Sequence, residues 1–359
     1  MASVAELIVR IKAEVGQLDK DLAGAKKSLE SVGKDMTAAG KTLSVGVTAP
    51  IVGVGVAALK SAFAGVRKTV EASEEDLAKL SKGIIDMSKE IPAAATEIAG
   101  VAEAAGQLGI EVPNIMGFTR TMSDLGVATN MSATDAATSL ARLANITQMP
   151  QTEFDRLGAV IVDLGNNLAT TESEIVDMGL RLAGAGKQVG MSEAQILGFA
   201  GALSSVGVEA QAGGSAFSKV MVQMQLATEK GGKELKNFAS VAGVSANGFK
   251  ESFKEDAAGA IISFIQGLGT AEERGMSTIK VLDDMGITEV RLRDALLRAA
   301  GAGDLFNESI AIGTKAWEDN TALAKEAEQR YDTTAAQIQI LKNKFTSFFL
   351  ENTAIRDLL

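Results

Sequence analysis

From residue 71 to about residue 344 this sequence is cut into short pieces by one recurring device, a hydroxyl residue followed three positions later by an acid or amide. Ser73-x-x-Asp76, Ser132-x-x-Asp135, Thr171-x-x-Glu174, Ser192-x-x-Gln195 and Thr270-x-x-Glu273 all have this form. In a capping box the hydroxyl accepts from the backbone N–H three residues on, and the third side chain reaches back. Two donors that a helix N-terminus leaves unsatisfied are then both used. Glycines follow the periodic apolar stretches as stops, and Pro92, Pro113 and Pro150 fall between those stretches, where a helix must break. Alternating strand patterns are absent from this region. The spacing predicts a mainly α chain, a multi-helix bundle of many short helices.

The side chains available to such a bundle are small. Only 4% of residues are aromatic, against 37 glycines in 359 residues, so the helices must pack closely. The formal charge of −10 argues against tight electrostatic binding to nucleic acid, which needs a basic surface. No specific nucleic-acid binding is expected. Charge is uneven: residues 1–70 hold ten Lys/Arg against six Asp/Glu, and the acid excess lies in the rest. Cysteine and histidine are both missing, which removes disulfides, Ser-His-Asp and Cys-His catalysis and most transition-metal sites. No catalytic residue, cofactor or metal ligand is expected. The opening "MASVAELIVRIK" has an acid within its apolar stretch and no cationic start, so it does not read as a secretory signal.

Residues 5–15 fit either of two patterns. Leu7, Val9, Ile11, Ala13 and Val15 alternate with charged residues, as in a short edge strand. Val4, Ile8, Ile11, Val15, Leu18, Leu22, Ala25, Leu29, Val32 and Met36 also step by four and three, as in a coiled-coil seam. Gly16 costs a helix interior about 1 kcal/mol, which favours a strand up to Val15 and an amphipathic helix over residues 17–39. Residues 42–59 carry no charge and are flanked by Lys41 and Lys60. As a helix of about 27 Å they reach the lower limit for a bilayer span, but Gly46, Gly53, Gly55 and Pro50 interrupt them and no Trp or Tyr anchors either end. The expected form is a hydrophobic helix beginning near Pro50. Its Ile51, Val52, Gly53, Val54, Gly55, Val56 and Leu59 would contact a partner, or transiently a membrane.

An internal repeat follows. "QLGIEVPNIMGFTRTMSDLGV" from Gln107 matches "QVGMSEAQILGFAGALSSVGV" from Gln188 at eight of twenty-one positions, 81 residues apart. The unit reads as helix, glycine turn, helix, over residues 97–127 and 174–208. Gly117-Phe118 and Gly198-Phe199 then occupy equivalent helical positions. The phenylalanines are expected in the core, with the glycines allowing close helix crossing and Gly126 and Gly207 acting as left-handed stops. Near the C-terminus Ala327, Tyr331, Thr334, Ile338, Leu341, Phe345 and Phe348 step by four and three, so one long coiled-coil-like helix is expected to leave the globular part.

Three apparent chemical motifs are weak. Gly53-Val54-Gly55-Val56-Ala57-Ala58 with Glu71 matches a loose dinucleotide fingerprint, but Pro50 interrupts the strand it needs. "GAGKQ" at residues 184–188 fails as a phosphate loop, because Arg181 replaces the first glycine and Gln188 replaces Ser or Thr; it reads as an interhelical turn. Asp283-Asp284 and Glu272-Glu273 read as solvated surface, since neighbours on a helix point different ways.

The chain thus divides into residues 1–40, a hydrophobic segment 41–70, a helical core 71–320 and an outgoing helix 321–359. In this order the segments resemble phage tail tape measure proteins of siphophages and prophages of Gram-positive hosts. The resemblance rests on "GKTLSVGVTAPIVGVGVAALKSAF", "ASEEDLAKLSKGIIDMSKEIPAAATEIAGVAEAAGQLGI", the repeat, "VRLRDALLRAAGAGDLF", "KAWEDNTALAKEAEQRY" and "QIQILKNKF". It implies a structural protein without an active site that lies in the tail-tube lumen. Such a protein sets tail length, leaves ahead of DNA, and is found in the host cytoplasm during assembly. Implied partners are other copies of itself and tail tube, distal tail and tail assembly chaperone proteins. Such proteins usually continue into further long helices, so a truncated or short form is the expectation here; wholly helical, 359 residues would reach about 540 Å. The competing readings are a pore-forming or membrane-remodelling protein built around residues 42–59 and a helical scaffold without a phage role.

Overall fold

The computed structural model describes the backbone from residue 49 to 353 and side chains from residue 57 to 347. Among the described residues there are seventeen α-helices and no strand, so the mainly α expectation holds. The strand-or-helix reading of residues 5–15, the helix of residues 17–39 and residues 42–48 lie outside the described residues. The chain forms two compact units, residues 1–58 and 59–359.

Helix α1, Ala49–Thr69, begins at the expected place, with Pro50 in its first turn where no intrahelical donor is lost. Its later part is not a free hydrophobic face. Leu59, Phe63, Val66 and Val70 are buried at spacings of four, three and four, and Thr69 donates to Glu103 O at 3.1 Å. The second compact unit begins at residue 59.

Helices α2 (Glu74–Ser88), α3 (Ala95–Gln107), α4 (Val112–Ala128), α5 (Ala133–Thr147), α6 (Phe154–Asn167), α7 (Glu172–Gln188) and α8 (Glu193–Ser205) follow as a run of hairpins. Four of the five expected capping residues start them. Ser73, Ser132, Thr171 and Ser192 accept from the N–H three residues on, at 3.1, 3.1, 3.4 and 3.2 Å. Thr270 does not. It ends a helix instead, its hydroxyl donating to Gln266 O at 3.2 Å, while Ser245 and Ser277 cap two helices whose third residue cannot complete a box. Pro113 also differs, sitting in the first turn of α4 rather than between helices, and "GAGKQ" is the last turn of α7.

The repeat forms two hairpins, α3–α4 and α7–α8. Their turns match residue for residue: Gly109 and Gly190 are left-handed at φ 78° and 89°. The next residues, Ile110 and Met191, are buried and donate five residues back, to Ala105 O and Gly186 O. This is the Schellman termination with its apolar contact. Phe118 and Phe199 both lie in the core; Phe118 meets Phe154 edge-on at 4.7 Å, and Phe199 meets Phe217 and Phe306 at 5.6 and 4.8 Å.

The glycines divide. A Cβ at Gly198 would lie 2.8 Å from Ser309 O, so a second backbone does cross there. A Cβ at Gly117 would meet nothing within 4 Å; that glycine is on an exposed face and the expected crossing is absent. Gly207 is left-handed at φ 72° and stops α8. Gly126 is no stop: α4 runs on to Ala128, and a Cβ at Gly126 would lie 2.9 Å from Ala133 N. The turn into α5 folds so tightly that the helix ends at Thr129 instead, whose hydroxyl donates to Leu125 O at 2.7 Å.

After a π turn at Ala210–Gly214 the chain makes an excursion through α9 (Ser215–Lys230), α10 (Gly232–Ala242), α11 (Ala246–Glu255), α12 (Ala257–Gly269), α13 (Thr278–Asp284) and α14 (Val290–Ala300). It then returns. Helix α15, Gly303–Asp319, packs against α6, α8 and α12, and α16, Ala322–Tyr331, packs against α4 and α6. The expected single outgoing helix is thus broken at residues 332–333, and its first half lies on the core with Leu323, Ala327 and Tyr331 buried. Helix α17, Thr334–Thr353, contacts α2, and its Asn343 donates to Ile91 O and Ala93 O at 3.3 and 2.8 Å.

A polar clasp holds this return. Tyr331 donates its hydroxyl to Asp124 of α4, and Arg120 reaches Asp124 at 3.0 Å and Glu90 at 3.1 Å. Burial raises the Asp124 carboxyl above its ordinary 3.8, opposed by the Tyr331 hydrogen bond and the Arg120 charge. Burial and the Asp124 charge raise the Tyr331 phenol in turn.

Three outcomes follow. Gly198→Ala should destabilise by about 1–3 kcal/mol, since overpacking meets backbone, while Gly117→Ala should stabilise by about 0.5–1 kcal/mol from helix propensity. Urea unfolding reads both, and shifts of the same sign would contradict this packing. Phe118→Ala and Phe199→Ala should each cost about 3–5 kcal/mol by the same assay. Asp124 takes up its proton more readily in the fold than in the unfolded chain, so its contribution is greatest below pH 3.8 and is lost as pH rises through the raised value. The stability of the wild type relative to Asp124→Asn, followed by thermal unfolding, should therefore fall as pH rises above that value and then level off; a rising difference would show that the ion pair with Arg120 outweighs burial.

Candidate functional surfaces

The chain has no histidine or cysteine, and among the described residues no cluster of acids could hold a metal ion. The acid pairs singled out in the sequence are on the surface. Asp283, Asp284, Glu272 and Glu273 are exposed, and Asp283 pairs with Arg293 at 2.5 Å.

The hydrophobic segment is only partly on view. Its backbone is helical from Ala49, but the side chains of Ile51, Val52, Gly53, Val54, Gly55 and Val56 lie outside those described. Leu59, expected to face a partner, is buried at 3% exposure. No helix among the described residues is long and apolar enough to cross a membrane.

The excursion carries a cleft that no sequence motif marks. Helices α9 and α10 meet α13 around an open hollow of about 510 Å³, floored by Leu226, Ala227, Phe238 and Met285 and rimmed by Lys230, Lys233, Glu234 and Asp284. A second lobe of about 350 Å³ shares Asn237, Asp284 and Met285 with it and adds Lys280. The cleft exists because Gly231 and Gly232, at φ 71° and 83°, turn α10 sharply away from α9. Arg274 fixes the opposite wall by donating to Val241 O and Gly267 O at 2.7 and 2.5 Å, which satisfies the last carbonyls of α10 and α12. Residues some fifty positions apart form this cleft, so periodicity within single segments could not reveal it. An apolar floor with a rim of both charges suits a protein segment better than a reacting small molecule.

Apolar side chains are also exposed on α17. Ile338, Leu341 and Phe345 are 50, 50 and 53% exposed, while the buried side of the helix carries Ala336, Ile340, Asn343 and Ser347. The sequence seam is thus divided: Ala327 and Tyr331 lie in the core, whereas Ile338 and Leu341 face outward.

No curated protein and no solved structure matches the chain. One family does: the one described as phage-related minor tail protein matches residues 81–283, from within α2 to within α13. The match takes in both repeat hairpins, the central helix α8 and most of the excursion, which is more than half of the sequence, and on that ground the chain belongs to the phage-related minor tail protein family.

Proposed function

We propose that this phage tail protein is of the tape measure type: a structural protein of the tail-tube lumen that helps to set tail length during assembly and is released ahead of DNA. The family match over residues 81–283 carries the tail role. The finer reading is supported by the order of segments around the match, with the uncharged residues 42–59 ahead of it and amphipathic periodicity on both sides. An acidic chain is also suited to a lumen through which DNA must pass without sticking.

The compact fold of residues 59–359 assigns this part a particular place in the reading. Folded, it is not itself an extended ruler; it is the bundle that tail tube, distal tail and assembly chaperone proteins engage, while length is measured by extended helix. The uncharged helix is the part offered to a host membrane after release from the tail. The reading involves no enzymatic step.

The test is genetic. In-frame deletion of the sequence coding for residues 81–283 in the parent phage should abolish tails of uniform length, seen by negative-stain electron microscopy, and the wild-type chain should be found in purified particles. Normal tails after the deletion, or absence of the chain from particles, would overturn the assignment. Flotation of the intact chain with liposomes, compared with a chain lacking residues 42–59, separates membrane contact from the assembly role: loss of flotation in the shortened chain is expected, and equal behaviour would remove the membrane step.

A further inference from the structure

We propose that the cleft of the excursion is filled by the start of α14 from a second copy of this chain, in a twofold contact in which each copy fills the other. The first observation is Val290. It opens α14 and is 81% exposed, more than any other large apolar side chain among the described residues. Glu289 and Arg291 on either side of it are exposed as well. The start of α14 is therefore an apolar knob between an acid and a base, and the bundle makes no use of it.

The knob and the cleft share one face. Lys219 of α9 pairs with Glu289 at 2.5 Å, so α14 begins against α9. Lys219, Gln223, Leu226 and Lys230 lie four, three and four apart, which puts them in one line along α9. The last three of these line the cleft, where Leu226 is 43% exposed. One edge of one helix thus runs from the knob to the far end of the hollow. On the other wall, Gly286 lines the cleft only four residues before Val290.

Charge and shape identify the occupant. A hollow and a knob side by side are complementary to the same face turned through 180°, which is the condition for an isologous contact. With the axis crossing α9 between Gln223 and Leu226, the two α9 helices run antiparallel and opposite ends of their lines meet. Lys230 of one copy then faces Glu289 of the other. Val290 enters over Leu226, Phe238 and Met285, and Arg291 comes to the edge that carries Asp284. The charges fit in the same order: Lys230 and Lys233 outnumber Glu234 on the α9–α10 edge, and Asp284 stands on the α13 edge. Lys230, Asp284 and Arg291 are exposed and in no ion pair among the described residues. Every contact is made twice, an apolar centre within a charged rim. The contact rests on these surfaces alone and holds with or without the tape measure reading.

Site-directed cross-linking of the full chain tests this. Because the chain has no cysteine, Leu226→Cys introduces a single thiol beside the axis, and a short bis-maleimide should join two copies through it. Ile146→Cys on α5 is the control: that residue is 45% exposed, much like Leu226, but is far from α9 in the element order, and it should join few copies. Val290→Asp in the Leu226→Cys chain should abolish the cross-link. It leaves the bundle intact, since Val290 is exposed and an acid suits the first turn of a helix, and circular dichroism checks this. Lys230→Glu or Glu289→Lys alone should raise the protein concentration needed for half cross-linking about tenfold, and the two together should restore it. Cross-linking no stronger at residue 226 than at residue 146 would overturn the proposal and leave the cleft to another protein. A cross-link that survives Val290→Asp, or one that the double charge exchange fails to restore, would overturn it too.

Discussion

The fold depends on one close crossing, that of α8 with α15. Helix α8 buries almost every side chain, from Ala194 through Leu203, and so presents no polar face to water. A helix apolar on all sides must be enclosed by others, and α6, α7 and α15 enclose it. The crossing is reciprocal. Gly198 meets the backbone of residues 309–310, and Gly313 meets Ala194 O, where an added Cβ would lie 2.9 Å away. Small residues four apart on both helices let the backbones approach closely. The buried Ser309 hydroxyl is satisfied within its own helix by Leu305 O at 2.7 Å, so the contact leaves no unpaired donor. Because α15 also packs on α6 and α12, the same crossing ties the hairpins to the excursion.

Local signals in the sequence are reliable here where the energy that enforces them is local. Ser73, Ser132, Thr171 and Ser192 cap helices because a capping hydrogen bond needs only three residues of chain. Thr270 has the same spacing, yet Gly269 and Thr270 end α12 there and residues 271–275 form turns. The hairpin repeat was legible for a related reason: the turns at Gly109 and Gly190 are set by one left-handed residue and one apolar residue after it. What the repeat could not reveal is environment. Gly117 and Gly198 are equivalent in sequence, but only the second lies under a helix that arrives a hundred residues later. Gly126 and Gly207 diverge because each answers to the helix that follows it. The cleft between α9–α10 and α13 was illegible for the same reason, since no single segment carries it.

The C-terminal seam shows the limit of periodicity most clearly. Its spacing correctly marks an apolar stripe on a helix, but a stripe does not say which side faces the bundle. Asn343 decides that. Its amide donates to two backbone carbonyls in the connection between α2 and α3, groups that no helix partner would otherwise satisfy, and a buried carbonyl left unpaired is costly. Turning α17 over to bury Ile338 and Leu341 would lose both bonds. The balance falls to the polar side, with the apolar stripe left on the surface.

This places the return of the chain among its more readily opened parts. Helix α8 opens only with the core around it, whereas among the described residues of α17 those buried are Ala336, Ile340, Asn343 and Ser347. Helix α16 adds three buried side chains and the Tyr331–Asp124 clasp. Hydrogen bonds of this kind contribute about 1–3 kcal/mol each, less than a large buried apolar side chain in the core. Opening energies differ across a protein, and segments held by few apolar contacts open first. The order follows from these contacts: the last two helices can part from the bundle while the α8–α15 crossing stays closed.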